Sequence, residues 1–328
     1  MLVAMRHRRF VPSTLALLLC LGLAAGCGGG GGGDDAAAEG TGTPAVDGEY
    51  PMTIEHRYGT TEIPAEPERV VTAGFNDADY ALAFGVVPVG VRDFIGTFEE
   101  EARPWAQEAL GGATPVKVSD SDGVLDYEEI AGAQPDLILA YSYLEEDEYE
   151  MLSQIAPTVV EPAPGTLWEA HTRDVGRALG QPERAEEIVT EVSDHFEAAR
   201  AAHPEFEGVT LAIQFGAEPG GYYLLEPSDP RIGLFTSLGF TMPETTGEIS
   251  REQVDLLDQE LLVVIGGDEE SYASDPLFQG LDAVQDGRVV YLGGFETDFA
   301  GALGFDSPLS LPHAVDIVVP QLAEALAR

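Results

Sequence analysis

From about residue 69 onward, short uninterrupted apolar runs alternate with longer stretches whose apolar residues recur every three or four positions. The runs at 70–72, 87–91, 116–118, 137–140 and 158–160 read as five strands, and those at 209–215, 222–225, 261–265 and 289–291 as four more. A strand exposed on one face alternates apolar with polar residues, whereas a continuous Val/Ile/Leu run marks a strand covered on both faces. With helices between them, such strands predict an α/β fold of parallel sheets. No strand signal occurs between the fifth and sixth runs. There Pro182 can open a helix whose apolar positions Ala185, Ile188, Val189, Val192, Phe196 and Ala199 share one face, and Pro204 stops it. About 20 residues at 1.5 Å each give a rod of roughly 30 Å. The pattern therefore predicts two parallel-sheet lobes, residues 53–181 and 204–328, joined by a long rigid helix at 182–203, with a ligand cleft between the lobes. A helical joint of this kind permits only small closing motions.

The N-terminal pattern is different. Arg6, Arg8 and Arg9 precede a mostly apolar stretch at 11–25, and small residues follow it. That order is a secretory signal, and the stretch is shorter than the roughly 20 residues a membrane-spanning helix needs. Ala24-Ala25-Gly26-Cys27 resembles a bacterial lipobox, with Ala in place of the usual Leu three residues before the cysteine. Residues 1–26 are read as a signal peptide, and Cys27 as the lipidated first mature residue. Residues 27–52, rich in Gly, Ala, Asp, Glu and Thr, are expected to form a disordered tether. The expected location is extracytoplasmic, lipid-anchored to the outer face of the cell membrane. The glycine run at 28–33 satisfies G-x-G-x-x-G but follows no strand and opens no helix, so it is not a dinucleotide fingerprint. Cys20 leaves with the signal and Cys27 is blocked by lipid, which leaves no disulfide, thiol nucleophile or cysteine metal site.

Charge narrows the partners. The chain has 58 acidic against 16 basic residues, a formal net charge of −42, and Lys117 is its sole lysine. Such a surface repels phosphate backbones and excludes nucleic acid as a partner. Most of these carboxylates are a solvated exterior.

In open parallel sheets, ligands sit beyond the carboxyl ends of the strands. The loops there offer Phe75 and Asn76, Arg92, Ser119, and Tyr141 and Tyr143 in the first lobe. The second lobe offers Phe215, Tyr222, Arg231 and Phe295. Aromatic side chains supply large, stiff contact area and tyrosine adds a directional hydroxyl. Arg92 and Arg231 are the only cations among these candidates. Enzyme signatures are missing: no G-x-S-x-G elbow, no G-x-x-x-x-G-K-[ST] loop and no H-E-x-x-H motif occurs. The histidines are scattered without metal-ligand spacing, so no catalytic residue and no metal site is assigned.

The order of motifs resembles a known family, the substrate-binding lipoproteins of iron-siderophore and cobalamin ABC importers. The resemblance begins at His56 with H-R-Y-G-T-T-E-I-P and continues through P-E-R-V-V from Pro67 and G-V-V-P-V-G-V from Gly85. Pro104-Trp105, E-E-I from Glu128, Q-P-D-L-I-L from Gln134, I-A-P-T-V from Ile155 and G-R-A-L-G from Gly176 follow. L-G-F from Leu238 and I-S-R-E-Q-V from Ile249 carry it into the second lobe. The opening string looks more like the ferric-siderophore branch. The resemblance implies no enzymatic activity and no cofactor. It implies an Fe(III)-siderophore ligand held between two lobes by a monomeric receptor, and delivery to a permease dimer driven by an ATPase. It also implies docking through one glutamate per lobe, Glu128 and Glu252, with Glu129 able to stand in for Glu128. The residues alone leave cobalamin, haem or a metal ion open as ligands, and an exported hydrolase or a sensory receptor as other classes.

Overall fold

The computed structural model describes residues 48–92, 102–141, 144–216, 221–294 and 296–328. Two five-stranded sheets organise the unit Pro44–Arg328. The first contains β3 (Val70–Thr72), β4 (Gly90–Val91), β5 (Val116–Lys117), β6 (Leu137–Leu139) and β7 (Thr158–Val159) in the order β5-β4-β3-β6-β7, every pair parallel. Both faces are covered, as the continuous apolar runs require. Val70, Leu137 and Leu139 pack into one core layer, and Val71, Ile138 and Val160 into the other.

The second sheet departs from the all-parallel expectation. Its order is β10-β9-β8-β11-β12, where β8 is Leu211–Phe215, β9 Gly221–Leu224, β10 Gly247–Ser250, β11 Leu261–Ile265 and β12 Val289–Tyr291. β8, β11 and β12 are parallel, but β9 runs antiparallel to β8, and β10 antiparallel to β9. A parallel pair needs a crossover of a dozen residues or more, and the link from Phe215 to Gly221 is far shorter. β10 therefore points the same way as β8, and its carboxyl end lies on the same side.

Two elements were not read from the sequence. One is β10; the other is an antiparallel hairpin, β1 (Met52–His56) and β2 (Gly59–Ile63), ahead of the first sheet. β1 alternates buried and exposed positions, the signature of a strand with one solvated face. His56 Nε2 meets Thr61 Oγ1 at 3.0 Å, and the Thr61 hydroxyl donates to the Thr158 carbonyl at 2.6 Å, which fixes the hairpin against β7.

The connecting helix spans Pro182–Ala202, and five of its six expected apolar positions are buried. Its first half gives Ala185 and Ile188 to the first-lobe core, and its second half gives Val192 and Phe196 to the second-lobe core. The lobes also share core directly: Leu82, Trp105, Ala106 and Leu110 pack into the cluster built on β8 and β11, and Trp168 touches the cores of both lobes. No helix among the described residues is long and apolar enough to cross a membrane.

Candidate ligand-binding site

The carboxyl ends of all five strands of the first sheet lie on one side, and in the second sheet so do those of β8, β10, β11 and β12. An interlobe pocket of about 370 Å³ opens beside the strand ends of the first sheet. The first lobe lines it with Arg57 from the hairpin turn, Asn76 and Tyr80 after β3, Tyr141, Leu144 and Glu145 after β6, Glu161 after β7, and His171. Pro230, Gly304 and Asp306 close it from the second lobe. A second pocket of about 340 Å³ shares Pro230 and Asp306 but runs along the connecting helix, between Trp168, Phe196 and Leu234, away from the strand ends.

Four of the expected residues meet as two pairs, one on each lobe. Arg92 lies over the Phe75 ring, its guanidinium carbon 4.1 Å from the centroid, and Arg231 lies over Phe215 at 3.9 Å. Each guanidinium is also held from another side. Arg92 is buried and donates to the carbonyls of Gly123 (2.8 Å) and Ala73 (3.1 Å). Arg231 donates Nε to Asp229 at 2.8 Å, and its Nη2 grips the other carboxylate oxygen. Burial pushes the Asp229 carboxyl up, but the bonds and charge of Arg231 outweigh it and hold the group below the usual carboxylate range.

The other candidates are placed differently. Asn76 spans the joint, donating its side-chain amide to the Phe305 carbonyl at 2.9 Å. Ser119 is half-buried and pairs with Leu125 across a tight loop after β5. Tyr141 and Tyr222 are largely enclosed. Tyr141 borders the pocket but is 1 % exposed, stacked on His171 with ring centroids 4.2 Å apart, so it offers a ligand almost no surface. Tyr222 alternates onto the inner face of β9, packs beside Phe278 and donates its hydroxyl to Asp275 at 2.6 Å. Tyr143, Phe295 and Cys27 lie outside the described residues.

Glu128 and Glu252 are both exposed in the first turns of short helices that follow β5 and β10. The helix starts are capped by other side chains: Asp126 accepts from the backbone of Glu128 and Glu129, and Ser250 forms a reciprocal box with Gln253. Among the described residues the carboxylates of Glu128 and Glu252 take no hydrogen bond or ion pair, so capping does not explain them.

The sequence reading missed a buried polar cluster behind the pocket. Asp77, wholly enclosed, accepts the backbone N–H groups of Gly74 and Tyr141 on one oxygen, both at 3.0 Å, which ties the β3 and β6 loops together. Its other oxygen sits 3.6 Å from His171 Nε2, and neither atom has a hydrogen bond. Tyr80 and Tyr141 sandwich the His171 ring. Burial pushes the Asp77 carboxyl up to about 7, against the pull of its backbone donors, and pushes His171 down to about 3. The adjacent acidic pair Asp77 and Asp79 in one helical turn after a strand was the available signal. Arg57 was also missed; its Nη1 pairs with Glu161 at 2.8 Å and its Nη2 donates to the Leu144 carbonyl. Burial raises the Glu161 carboxyl while Arg57 opposes it. No cluster of three or more His, Cys, Asp or Glu suited to a metal ion occurs among the described residues.

The Asp77–His171 pair has a pH signature. A carboxyl raised from 3.8 to about 7 contributes stability at low pH that is lost as the pH rises through that window. A histidine lowered from 6.5 to about 3 contributes stability above 6.5 that is lost on acidification. Between about pH 4 and 6.5 the two slopes oppose one another. His171→Gln should therefore expose the Asp77 slope, with stability falling as pH rises, and Asp77→Asn should expose the opposite one. Each slope approaches about 1.4 kcal/mol per pH unit, read from urea midpoints across that range. Parallel pH profiles for the two variants would contradict the pairing.

A family model described as periplasmic binding protein matches residues 86–294, and the chain belongs to the periplasmic binding protein family. A solved periplasmic solute binding protein from Mycobacterium smegmatis str. MC2 155 is 32% identical, with a TM-score of 0.74 over 84% of this chain and 98% of that one. PiaA of Streptococcus pneumoniae TIGR4, solved in complex with ferrichrome, is 26% identical with a TM-score of 0.72 over 84% and 98%. The probable siderophore-binding lipoprotein YfiY of Bacillus subtilis (strain 168) is 26% identical over 67% of this chain and 66% of that protein. The chain thus shares the two-lobe fold of siderophore-type binding proteins.

Proposed function

We propose that this chain is the extracytoplasmic binding component of an ABC importer, capturing a ferric siderophore between its lobes and delivering it to a permease. The observation that carries the reading is the interlobe pocket at the strand ends of a periplasmic-binding-protein fold. The names of its relatives, among them a siderophore-binding lipoprotein and a receptor solved with ferrichrome, supply the ligand class. In this reading the protein is a monomeric receptor rather than an enzyme, and the siderophore is its cargo rather than a cofactor. Glu128 and Glu252 are the docking charges: each stands on one lobe, exposed and unpaired, in the first turn of a short helix.

Uptake of radiolabelled iron presented as siderophore complexes, in cells with and without this gene, tests the reading. Uptake that depends on the gene supports it; unchanged uptake of every complex contradicts it. Lipid attachment at Cys27 belongs to the same proposal, because two or more acyl chains anchor a protein stably. Cys27→Ser should release the processed protein into the medium or leave the leader uncut. A processed variant that stays on the membrane would contradict lipidation.

A further inference from the structure

The arginines of the described residues are all committed to partners within the protein. On the pocket wall Arg57 holds Glu161; outside the lining, Arg92 holds two backbone carbonyls with Glu148 at 3.9 Å, and Arg231 holds Asp229. Arg103 is fully buried on Asp79. Elsewhere Arg173, Arg177, Arg184, Arg200, Arg251, Arg288 and Arg328 pair with carboxylates, and Arg69 with backbone carbonyls. Lys117 is also engaged. The stretches 93–101, 142–143 and 217–220, together with residue 295, contain no Lys or Arg at all, and the sequence of 93–101 includes Asp93, Glu99, Glu100 and Glu101. The pocket lining itself carries three carboxyls, Glu145, Glu161 and Asp306, against the single guanidinium of Arg57. Burial, with Glu169 and Asp229 nearby, pushes Asp306 up to about 7, so this wall already resists added negative charge.

Ferric complexes differ in charge by ligand type. Three monoanionic hydroxamates cancel the charge of Fe(III), whereas three dianionic catecholates leave a triply anionic complex. Bringing such an anion into this pocket would require cations that the fold has neutralised, and an unpaired buried charge is costly. Resting on the proposed function, we infer that the site selects ferric complexes of zero or positive net charge, of the tris-hydroxamate kind, and discriminates against tris-catecholates. Glu161 sets this preference by occupying Arg57, the one guanidinium of the pocket lining, and Asp229 likewise neutralises Arg231, the chain neighbour of the lining residue Pro230.

The test titrates the purified full-length protein with a hexadentate ferric tris-hydroxamate and a ferric tris-catecholate of similar size, at low and high salt. The hydroxamate complex should bind at least about tenfold more tightly, with the gap widest at low salt, where charge is least screened. Glu161→Gln with Asp229→Asn should raise catecholate affinity by about tenfold or more, with circular dichroism confirming that the variant is folded. Equal or tighter catecholate binding by the unaltered protein at both salt concentrations overturns the inference. So does a folded double variant with unchanged catecholate affinity. Binding of neither complex also overturns this selectivity, while the proposed function itself stands or falls on the uptake assay, a separate result.

Discussion

Replacing both Glu128 and Glu252 with alanine should markedly reduce siderophore-dependent iron uptake, while the purified variant binds its ferric complex unchanged. Both carboxylates are exposed and unpaired, one per lobe, and neither lines the interlobe pocket. Charge pairs at a docking face steer and orient encounters, so their loss acts on delivery rather than capture. Because Glu129 stands beside Glu128 in the same helical turn, Glu252→Ala should be the more damaging single change. Normal uptake by the double variant, or loss of ligand affinity, would contradict the assignment.

The largest expected effect on stability lies at the joint between the lobes. Asp79 accepts from Arg103 Nη1 at 2.8 Å on one oxygen, and from Trp105 Nε1 at 2.7 Å and the Ser307 hydroxyl at 3.0 Å on the other. Arg103 in turn lies over the Phe305 ring at 4.1 Å, and Tyr80 donates its hydroxyl to the Asp306 carbonyl at 2.7 Å. The 305–307 segment of the second lobe is thus gripped by first-lobe side chains. Asp79 and Arg103 are both inaccessible to solvent. Removing one partner of a buried ion pair strands the other, which costs about 3–5 kcal/mol. Asp79→Ala should therefore lower unfolding stability by about that amount in urea, whereas Ser307→Ala should lose only about 1 kcal/mol, the net worth of one hydrogen bond. A loss below about 1 kcal/mol for Asp79→Ala would mean that the network is not holding the joint.

The core strands and the connecting helix were legible because they are local patterns. Five buried residues between Ala185 and Phe196 lie where the three-and-four spacing puts them. The hairpin at Met52–Ile63 was hidden by its polar character, since Thr53, Glu55, Thr60 and Glu62 face solvent between buried neighbours. The antiparallel β9 was written in the shortness of the link before it rather than in its own composition.

The strand-end loops were legible by position, but the orientation of their side chains was not. Loops at strand ends could be located, and Phe75 with Arg92 and Phe215 with Arg231 do come together there. Which way a side chain turns depends on the sheet's faces, so Tyr222 went to the core and Tyr141 stacked beneath the pocket wall. Arg57 and Asp77 were missed because the partners that place them, Glu161 and Tyr141, lie 104 and 64 residues away in the chain, and no local pattern announces a contact of that span.

Fluorescence titration of the purified protein with ferric siderophores, each run beside its iron-free chelator, tests the central claim most directly. Trp168 touches the cores of both lobes, so its emission should report ligand entry between them. The account predicts saturable one-to-one binding of at least one ferric complex at about micromolar concentration or tighter, markedly weaker binding of the matching iron-free chelator, and recovery of the complex unaltered. Failure of every ferric complex to bind, or its chemical conversion by the protein, would contradict it.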